Sequence, residues 1–461
     1  MCEAHSDHEG SIPATTAVAN PPTPTLDISG LQPYAEFLCT QEGIRRTAVG
    51  FIGYSAVGPG DRVLIAVDSQ YDNRIPEAIA RALRDRLGAR PDIVIVDVGP
   101  DRPFDEVDEI RAIMRREPWR NAPRRYEGVP WVEELAVRER YAMLIHGRGG
   151  GHAADPRVER YEFIPWQIEE HLACAATTYP RELHALINRK AWEPIWRGAG
   201  GRVHLTDAEG TDLAYTLWPD YYGRRGTPFK ESPNMGHLMA HPLPPIVPRA
   251  DAEGVVTGTT SHFSRAFPRI GLRLEGGRLE AIEGGGGYGE AWRELLEESR
   301  STRYPCFPRE GLFWLWEVAI GTNPKIRRPS TIHLHSSGGF EWERRRSGII
   351  HVGLGTSWRS EYEDWAGERG LLYGHLHVHL LFPTLDVVMP SGESVRVIDR
   401  GRLVALDDAE VRELAERLGD PDDLLTEDWI PEVPGINVPG SYEEFARDPS
   451  RWIYRSEGSP A

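Results

Sequence analysis

Three histidines occupy alternate positions in YGHLHVHLLF, residues 373–382: His375, His377 and His379. Successive side chains of a β-strand point to opposite faces, so a strand here places the three imidazoles on one face and the apolar residues between them on the other. Imidazole is a common metal ligand, and two histidines at this spacing can bind one ion. The run therefore predicts a strand with a metal-binding face, although a lone histidine on a strand is usually a satisfied core or surface residue.

A single carboxylate in an apolar run is the second chemical signal. Glu317 lies in LFWLWEVAIG, residues 312–321, where a buried charge is costly unless it is paired or binds a metal. Together with two histidines of the 375–379 run, Glu317 would complete the two-histidine, one-carboxylate set that is typical of non-haem Fe(II) oxygenases. His351, in GIIHVGLG, is a further candidate metal ligand. An ion pair between Glu317 and an arginine is the simpler alternative.

A glycine-rich stretch, HGRGGGHAAD at residues 146–155, carries further candidate groups. His146 and His152 flank it after a predicted strand, and ligands enter α/β sheets at the carboxyl ends of strands, so both are candidate acid–base groups. Arg148 is a candidate for binding a substrate carboxylate, although a solvated loop arginine is the simpler reading. The stretch is not followed by GK[ST] and does not fit GxGxxG, so no nucleotide or other organic cofactor is predicted.

Two more histidines and two tryptophans complete the candidate set. His237 and His241 lie in PNMGHLMAHP, where His237 is a candidate acid–base group and His241 a candidate substrate-binding residue. Trp316 and Trp358 are candidates for the lining of an aromatic pocket, although tryptophans in strands more often belong to the core.

Residues 60–147 predict an α/β arrangement. GDRVLIAVDS at 60–69 and PDIVIVDVG at 91–99 are buried strands, and residues 74–89 between them have a helical period that ends at Gly88. Strand, helix and strand in this order form a parallel, right-handed unit. A third strand is predicted at 140–147.

Helices are expected at 160–175 and 180–196, which completes an N-terminal α/β domain, residues 26–199, with a parallel sheet in three layers. The preceding residues 1–25 are polar and rich in Pro and Thr, and they lack the charged and apolar regions of a signal peptide. They predict a disordered arm.

The pattern changes near residue 200. Residues 200–217 alternate around a Glu-Gly turn and predict a β-hairpin. Short strands separated by glycines follow, interrupted by one helix at 288–300. We therefore expect a mainly antiparallel β domain that binds the metal at residues 200–420, and an acidic, proline-rich C-terminal tail at 421–461.

Composition excludes several classes of protein. The chain has 461 residues, 53 Lys and Arg, 70 Asp and Glu, and a formal charge of −17, so neither nucleic acid nor an anionic membrane is an expected partner. The four cysteines are far apart and form no CxxC pair, which favours reduced thiols and a cytoplasmic protein. No apolar stretch approaches the length of a transmembrane helix.

Six motifs in order resemble the superfamily of aminopeptidase T-like metalloaminopeptidases, whose scaffold is shared by the iron enzyme 2,5-dihydroxypyridine 5,6-dioxygenase. The motifs are GDRVLIAVD, EGTDLAYTL, PNMGHLMAHP, WEVAIGTNP, GIIHVGLG and GHLHVHLLFPTLDVV. They cover roughly residues 55–410. The resemblance implies an α/β N-terminal domain, a mainly β metal-bearing C-terminal domain and a homodimer.

The resemblance also implies roles for individual residues. His237 stands where the aminopeptidases have the metal-binding Glu of a Pro-x-Gly-Glu motif, and Glu317 matches their second Glu. His351 matches the His of a His-x-x-x-Gly strand. The terminal His-x-Asp pair falls on the first two or the last two histidines of the 375–379 run, with no Asp in either case. Two carboxylate ligands are thus replaced by histidine, which weakens the case for a dinuclear peptidase.

The departures favour the dioxygenase branch, with Glu317, His377 and one of His375 or His379 around Fe(II). His237 and one histidine of the 146–155 stretch would then resemble the acid–base groups of that branch. The expected partners are O2 and a small hydroxylated aromatic or heteroaromatic substrate. Two alternatives stay open: an aminopeptidase or amide hydrolase that uses Zn, Co or Mn, and a relative without catalytic activity.

Overall fold

The structure is a computed structural model of the chain. It describes residues 26–454 except for 41–53, 70, 97–106, 108–109, 112–113, 115–128, 148–157, 159, 165, 220–236, 240–249, 262–263, 329–341 and 356–359. The disordered arm expected at 1–25 lies outside the described residues, as do residues 455–461. None of the described helices is long and apolar enough to span a membrane.

The N-terminal part is built on a parallel sheet. Its strands are β1 (Arg62–Asp68), β2 (Arg90–Val96), β3 (Met143–Gly147) and β4 (Tyr161–Ile164), in the order β2-β1-β3-β4. Helix α2 (Arg74–Leu87) connects β1 to β2, and these two strands pair in parallel, as predicted from the sequence. Further helices among the described residues of this part are α1 (Gln32–Thr40), α3 (Val129–Arg138), α4 (Glu169–Leu172) and α5 (Arg181–Arg197).

Alternate residues of β1 pack into two separate apolar clusters. Val63 and Ile65 belong to a cluster with the apolar faces of α1 and α2, whereas Leu64 and Ala66 belong to one that includes residues of α3. Because both faces of a parallel sheet are covered by helices, its strands read as continuous apolar runs. The three-layer α/β fold expected from the sequence is confirmed.

One predicted element in this part is wrong. Residues 160–175 form the short strand β4 and the four-residue helix α4, not one amphipathic helix. Strand β4 pairs in parallel with β3 and closes that edge of the sheet. Pairing with β3 determines the structure of residues 161–164, because the helix propensity of a short segment is weak and is overridden by tertiary contacts.

The C-terminal part contains one large antiparallel sheet, as expected. Among the described residues it has twelve strands. They are β5 (Arg202–Asp207), β6 (Asp212–Thr216), β7 (His237–Met239), β8 (Glu253–Ser261), β9 (Ala266–Glu275), β10 (Arg278–Gly284), β11 (Leu315–Gly321), β12 (Ile350–Gly355), β13 (His375–Leu380), β14 (Pro383–Val388), β15 (Ser394–Asp399) and β16 (Arg402–Leu403). The order is β16-β15-β14-β5-β6-β8-β13-β12-β11-β7, with β9 added to β8 and β10 to β9.

Helices cover this sheet and its ends. They are α6 (Gly286–Ser299), α7 (Trp342–Arg345), α8 (Ser360–Gly367), α9 (Ala409–Leu418), α10 (Pro421–Leu425), α11 (Tyr442–Arg447) and α12 (Ser450–Ile453). Helix α6 packs Trp292 and Leu295 into the main apolar core, and its Tyr288 hydroxyl donates a hydrogen bond to the His377 carbonyl at 3.0 Å. This contact fixes the backbone of β13 from the core side.

The last described residues pack against the ends of β12 and β13. Val433 and Phe445 are buried in a cluster with Ile349 and Phe382, and Trp429 lies at its edge. Lys325, the fourth residue after the end of β11, is buried, and its ammonium group lies 2.7 Å from Asp428 Oδ1. The segment after α10 is therefore anchored on the strands that carry the candidate metal ligands.

Candidate metal centre

Three neighbouring strands bring Glu317, His351 and His377 together. One ligand atom from each lies within 4.8 Å of the others, and all three side chains are buried. His377 Nε2 is 3.0 Å from Glu317 Oε2, and His351 Nε2 is 3.5 Å from the same oxygen. The rings of His351 and His377 stack with their centroids 3.9 Å apart. The sheet thus concentrates two imidazoles and one carboxylate on one face, which we call the metal face.

The register of the strands produces this cluster. Glu317 pairs with Gly353 of β12, and Gly353 pairs with His377 of β13. A Cβ atom on Gly353 would lie 2.8 Å from His377 Nε2 and 2.9 Å from Glu317 Cβ. Any side chain at position 353 would fill the space between the two ligands, so the glycine is required by the geometry of the site.

A β-bulge shapes one end of the site. The register between β11 and β12 shifts between Leu315 and Glu317, so Trp316 is the extra residue. Its ring contacts His375 edge-on with centroids 4.7 Å apart, and it lies 6.4 Å from the ring of His377. Bulges commonly re-aim a side chain beside an active site. Trp316 and the half-buried His375 therefore border the cluster on one side.

His379 extends the histidine row in the other direction. Its ring lies 5.0 Å from that of His351, and its Nδ1 is 2.7 Å from Glu343 Oε1. Glu343 also forms a buried ion pair with Arg328. Burial opposes ionisation of Glu343, but Arg328 and His379 outweigh it and lower its pKa to about 2. Because Glu343 is an anion at neutral pH, it fixes the orientation of His379.

The electrostatics of the cluster suit a cation. Burial, followed by the nearby His377, lowers the pKa of His351 well below its usual value, so its imidazole is neutral at pH 7. Neutral imidazole and ionised carboxylate are the forms that bind metal ions. Two ligand atoms that each lie about 2.1 Å from one ion, with a right angle between the two metal–ligand bonds, are about 3 Å apart. The distance between Glu317 Oε2 and His377 Nε2, 3.0 Å, matches this value. The donor types, their burial and the space at Gly353 therefore fit a metal ion.

The other predicted site residues are distributed more widely. His146 is buried near the carboxyl end of β3 in the parallel sheet and is not part of the three-residue group. His237 begins β7, where its backbone pairs with Gly321 of β11. The candidates His152, Arg148, His241 and Trp358 lie outside the described residues.

Sequence reasoning did not identify Gly353, Glu343 or Arg344 as parts of this region. Gly353 becomes significant only through cross-strand register. Glu343 and Arg344 stand in EWERRRSG, directly before the strand of His351, and both are buried. The sequence did contain a signal for Glu343 and Arg344: a run of charged residues leads directly into an apolar strand, and charges that become buried need partners or a function.

The architecture places the chain among two-part α/β proteins. A parallel three-layer α/β unit is followed by an antiparallel sheet whose strands carry the candidate ligands. This is the fold that the six motifs imply. No protein-family profile matches the sequence, and a comparison with curated proteins finds no match either.

Two solved structures are similar to this chain. The first is 2,5-dihydroxypyridine dioxygenase from Pseudomonas putida KT2440, with a TM-score of 0.50 and 15% sequence identity over 82% of this chain and 98% of that chain. The second is AmpT from Thermus thermophilus, with a TM-score of 0.43 and 15% identity over 82% of this chain and 99% of that chain. The first likeness confirms the fold that the sequence motifs predicted.

Proposed function

We propose that this protein is a mononuclear non-haem Fe(II)-dependent oxygenase that acts on a small hydroxylated aromatic or heteroaromatic compound and opens its ring. One observation carries the proposal: the group that can hold a metal consists of two histidines and a single carboxylate, His351, His377 and Glu317. This donor set with open positions is typical of non-haem Fe(II) oxygenases.

The number of carboxylates supports one ion over two. Two metal ions held close together need several carboxylates to offset and bridge their charges. In the described part of the chain, the group contributes one, and the neighbouring carboxylate of Glu343 is already paired with Arg328 and His379. The structurally similar Pseudomonas putida protein is named a dioxygenase, and the reaction proposed here belongs to the same class.

Each residue has a distinct part in this proposal. Bound Fe(II) would supply the one-electron chemistry that allows O2 to react with an aromatic ring. Glu317 would offset part of the ion's charge, and His351 and His377 would hold the ion through neutral imidazole nitrogens. Trp316 provides an aromatic wall beside the site, where a planar substrate can stack. His375 is half-buried next to His377 and is placed to accept a proton from a substrate hydroxyl.

The rival reading is a zinc-dependent hydrolase, because two histidines and a glutamate also hold catalytic zinc in some peptidases. The two readings predict different metals, reactions and oxygen requirements. The test must therefore measure metal identity and both reactions on the same preparation.

The experiment uses the full chain purified without oxygen and analysed for transition metals. We expect one iron per chain, and O2 uptake on addition of 2,5-dihydroxypyridine or a dihydroxybenzene. His377→Asn should remove iron and O2 uptake together. His184→Asn is a matched control, because His184 is also buried but hydrogen-bonds to Thr322 outside the three-residue group.

Two results would overturn the proposal. One is two zinc ions per chain with anaerobic hydrolysis of leucine p-nitroanilide. The other is O2 uptake that persists in His377→Asn at the rate of the unchanged protein.

A further inference from the structure

The residues after α10 contact the ends of the strands that carry the candidate ligands. We call residues 426–454 the C-terminal segment. The Asp428 carboxylate lies 2.7 Å from Lys325 Nζ, just beyond the end of β11. The Trp429 carbonyl accepts a hydrogen bond from Arg346 Nε at 3.0 Å, shortly before the start of β12. The first residues of the C-terminal segment are therefore held beside the connection between two ligand-bearing strands.

A continuous series of side-chain contacts leads from this segment to the histidine row. Arg328 Cζ lies over the ring of Trp429, 4.8 Å from its centroid, which is the geometry of a cation–π contact. The same guanidinium forms an ion pair with Glu343, and Glu343 Oε1 is 2.7 Å from His379 Nδ1. The His379 ring lies 5.0 Å from that of His351. We call the first four of these residues the Trp429–His379 series.

The inner end of the series fixes the state of His379. A carboxylate that is paired with a guanidinium only accepts hydrogen bonds, so Nδ1 of His379 carries the proton and Nε2 presents its lone pair. Nε2 is buried and has no hydrogen-bond partner among the described residues. Histidines that bind metals usually donate their other ring N–H to a carboxylate, which fixes the orientation of the ring. Glu343 therefore holds a basic nitrogen ready within the histidine row.

The outer end of the series fixes Glu343. The Arg328 side chain is 8% exposed, Glu343 accepts from its Nε–H, and Trp429 covers its face. Its Nη2 has no hydrogen-bond partner within the part of the chain that the structure describes. An arginine side chain has many rotamers, and holding one of them requires contacts that offset the lost entropy. Without the Trp429 ring, Arg328 loses one of the two groups that hold its guanidinium.

We propose that the C-terminal segment positions the metal centre: Trp429 and Arg328 hold Glu343, and through it His379, in the orientation that metal binding requires. Trp429 and Arg328 are positioning residues, because neither belongs to the three-residue group that can hold the ion. The inference rests on the proposed function only for the presence of a metal ion, not for the reaction. In the competing outcome, Trp429 serves only the packing of the segment against Val433 and its apolar neighbours.

The test uses Co(II) as the probe, added without oxygen to the metal-free full chain. The visible absorption of bound Co(II) depends on the number and geometry of its ligands, and a titration gives the dissociation constant. We expect Trp429→Leu to change the spectrum and to weaken Co(II) binding about 10-fold, since losing an outer partner of a metal-binding histidine has an effect of that size. Trp429→Phe keeps an aromatic face for Arg328 and should restore the spectrum and an affinity within about 3-fold of the unchanged protein.

Two further variants separate positioning from folding. Arg328→Lys keeps the charge beside Glu343 but lacks the planar guanidinium that stacks on Trp429, so we expect the same direction of change, and it serves as the test if Trp429→Leu fails to fold. Trp365→Leu is the matched control, because Arg369 Cζ also lies 4.8 Å from the centroid of the Trp365 ring, outside the Trp429–His379 series. It should lower thermal stability and leave the Co(II) spectrum and affinity unchanged.

Several results would overturn the inference. They are an unaltered Co(II) spectrum and affinity in folded Trp429→Leu or Arg328→Lys, an equal loss of affinity in Trp365→Leu, and no Co(II) binding by the unchanged protein. Measuring O2 uptake on the iron-loaded protein keeps the proposed function separate. If the Co(II) results are as expected but no dihydroxylated ring supports O2 uptake, the oxygenase proposal fails and the positioning role stands. If O2 uptake occurs and the Trp429 variants bind Co(II) as the unchanged protein does, the oxygenase stands and the positioning role fails.

Discussion

His377 Nε2 lies 3.0 Å from Glu317 Oε2, although the two residues belong to strands that are separated by a third. The residue between them is Gly353, which pairs with both. Side chains on two strands that flank a third strand can meet across it when the residue between them is a glycine, which has no side chain. The contact therefore depends on a residue that contributes no side chain, and this makes Gly353 as important for the site as the ligands themselves.

We predict that Gly353→Ala abolishes metal binding while the protein still folds. The added Cβ would lie 2.8 Å from the His377 ring and 2.9 Å from Glu317 Cβ, so the two ligands must separate. We expect at least a 10-fold fall in bound metal per chain, measured by elemental analysis, which corresponds to about 1.4 kcal/mol of binding free energy. Gly271→Ala is the control, because its Cβ would approach no atom closer than 3.8 Å. Equal metal content in the two variants would contradict this role for Gly353.

We predict that Glu317→Gln removes the thermal stabilisation that metal provides without destabilising the metal-free protein. The amide keeps the volume of the side chain and lacks its charge, so the buried position loses an anion that needs a partner. The observable is the increase in melting temperature on adding Fe(II) or Zn(II), which should disappear in the variant. Glu209→Gln is a matched control: Glu209 is also buried but hydrogen-bonds to Thr259. A metal-dependent shift that persists in Glu317→Gln would remove Glu317 from the ligand set.

We predict that Glu343→Ala destabilises the fold strongly. It breaks an ion pair with Arg328, in which the Glu343 side chain is fully buried, and a 2.7 Å hydrogen bond with His379, and removing one partner of a buried pair costs about 3–5 kcal/mol. Urea denaturation at pH 7 measures the loss. Because the pKa of Glu343 is lowered to about 2 in the folded chain, its contribution is complete above the usual carboxyl pKa and is lost as pH falls toward 2. Glu410→Ala, at an exposed pair with Lys190, should change stability little.

The fold and the metal-binding strand could be predicted from local patterns. The alternation of histidines with apolar residues predicts a strand that places His375, His377 and His379 on one face. The structure confirms this strand as β13. The βαβ unit and the hairpin near residue 200 also follow from local periodicity, because each is built from segments that follow one another directly in the chain.

What could not be predicted depends on register between distant strands. Nothing local distinguishes Gly353 from other glycines until it is aligned with Glu317 and His377. The bulge that turns Trp316 toward His375 is likewise a property of the β11–β12 pair. The burial of Glu343 depends on Arg328, which is fifteen residues away across a segment outside the described residues.

A second buried carboxyl pair gives a prediction about pH. Asp207 accepts hydrogen bonds from the backbone amides of Glu209 at 2.7 Å and Phe382 at 2.9 Å, and burial raises its pKa to about 6. Glu209 accepts a hydrogen bond from the Thr259 hydroxyl at 3.0 Å, and among the described residues its other carboxylate oxygen has no hydrogen-bond partner. Burial, followed by the charge of Asp207, raises the pKa of Glu209 well above its usual value.

The sign of the effect follows from linkage. A carboxyl whose pKa is raised in the folded state contributes most stability below its unfolded pKa, and that contribution is lost as pH rises toward the folded pKa. Each pKa unit corresponds to about 1.4 kcal/mol. We therefore predict that Glu209→Gln, which cannot ionise, becomes progressively more stable than the unchanged protein between pH 5 and pH 8. Urea denaturation at the two pH values measures the difference, with the exposed Glu283→Gln as control. A stability difference that is independent of pH would show that Glu209 is not held protonated by its surroundings.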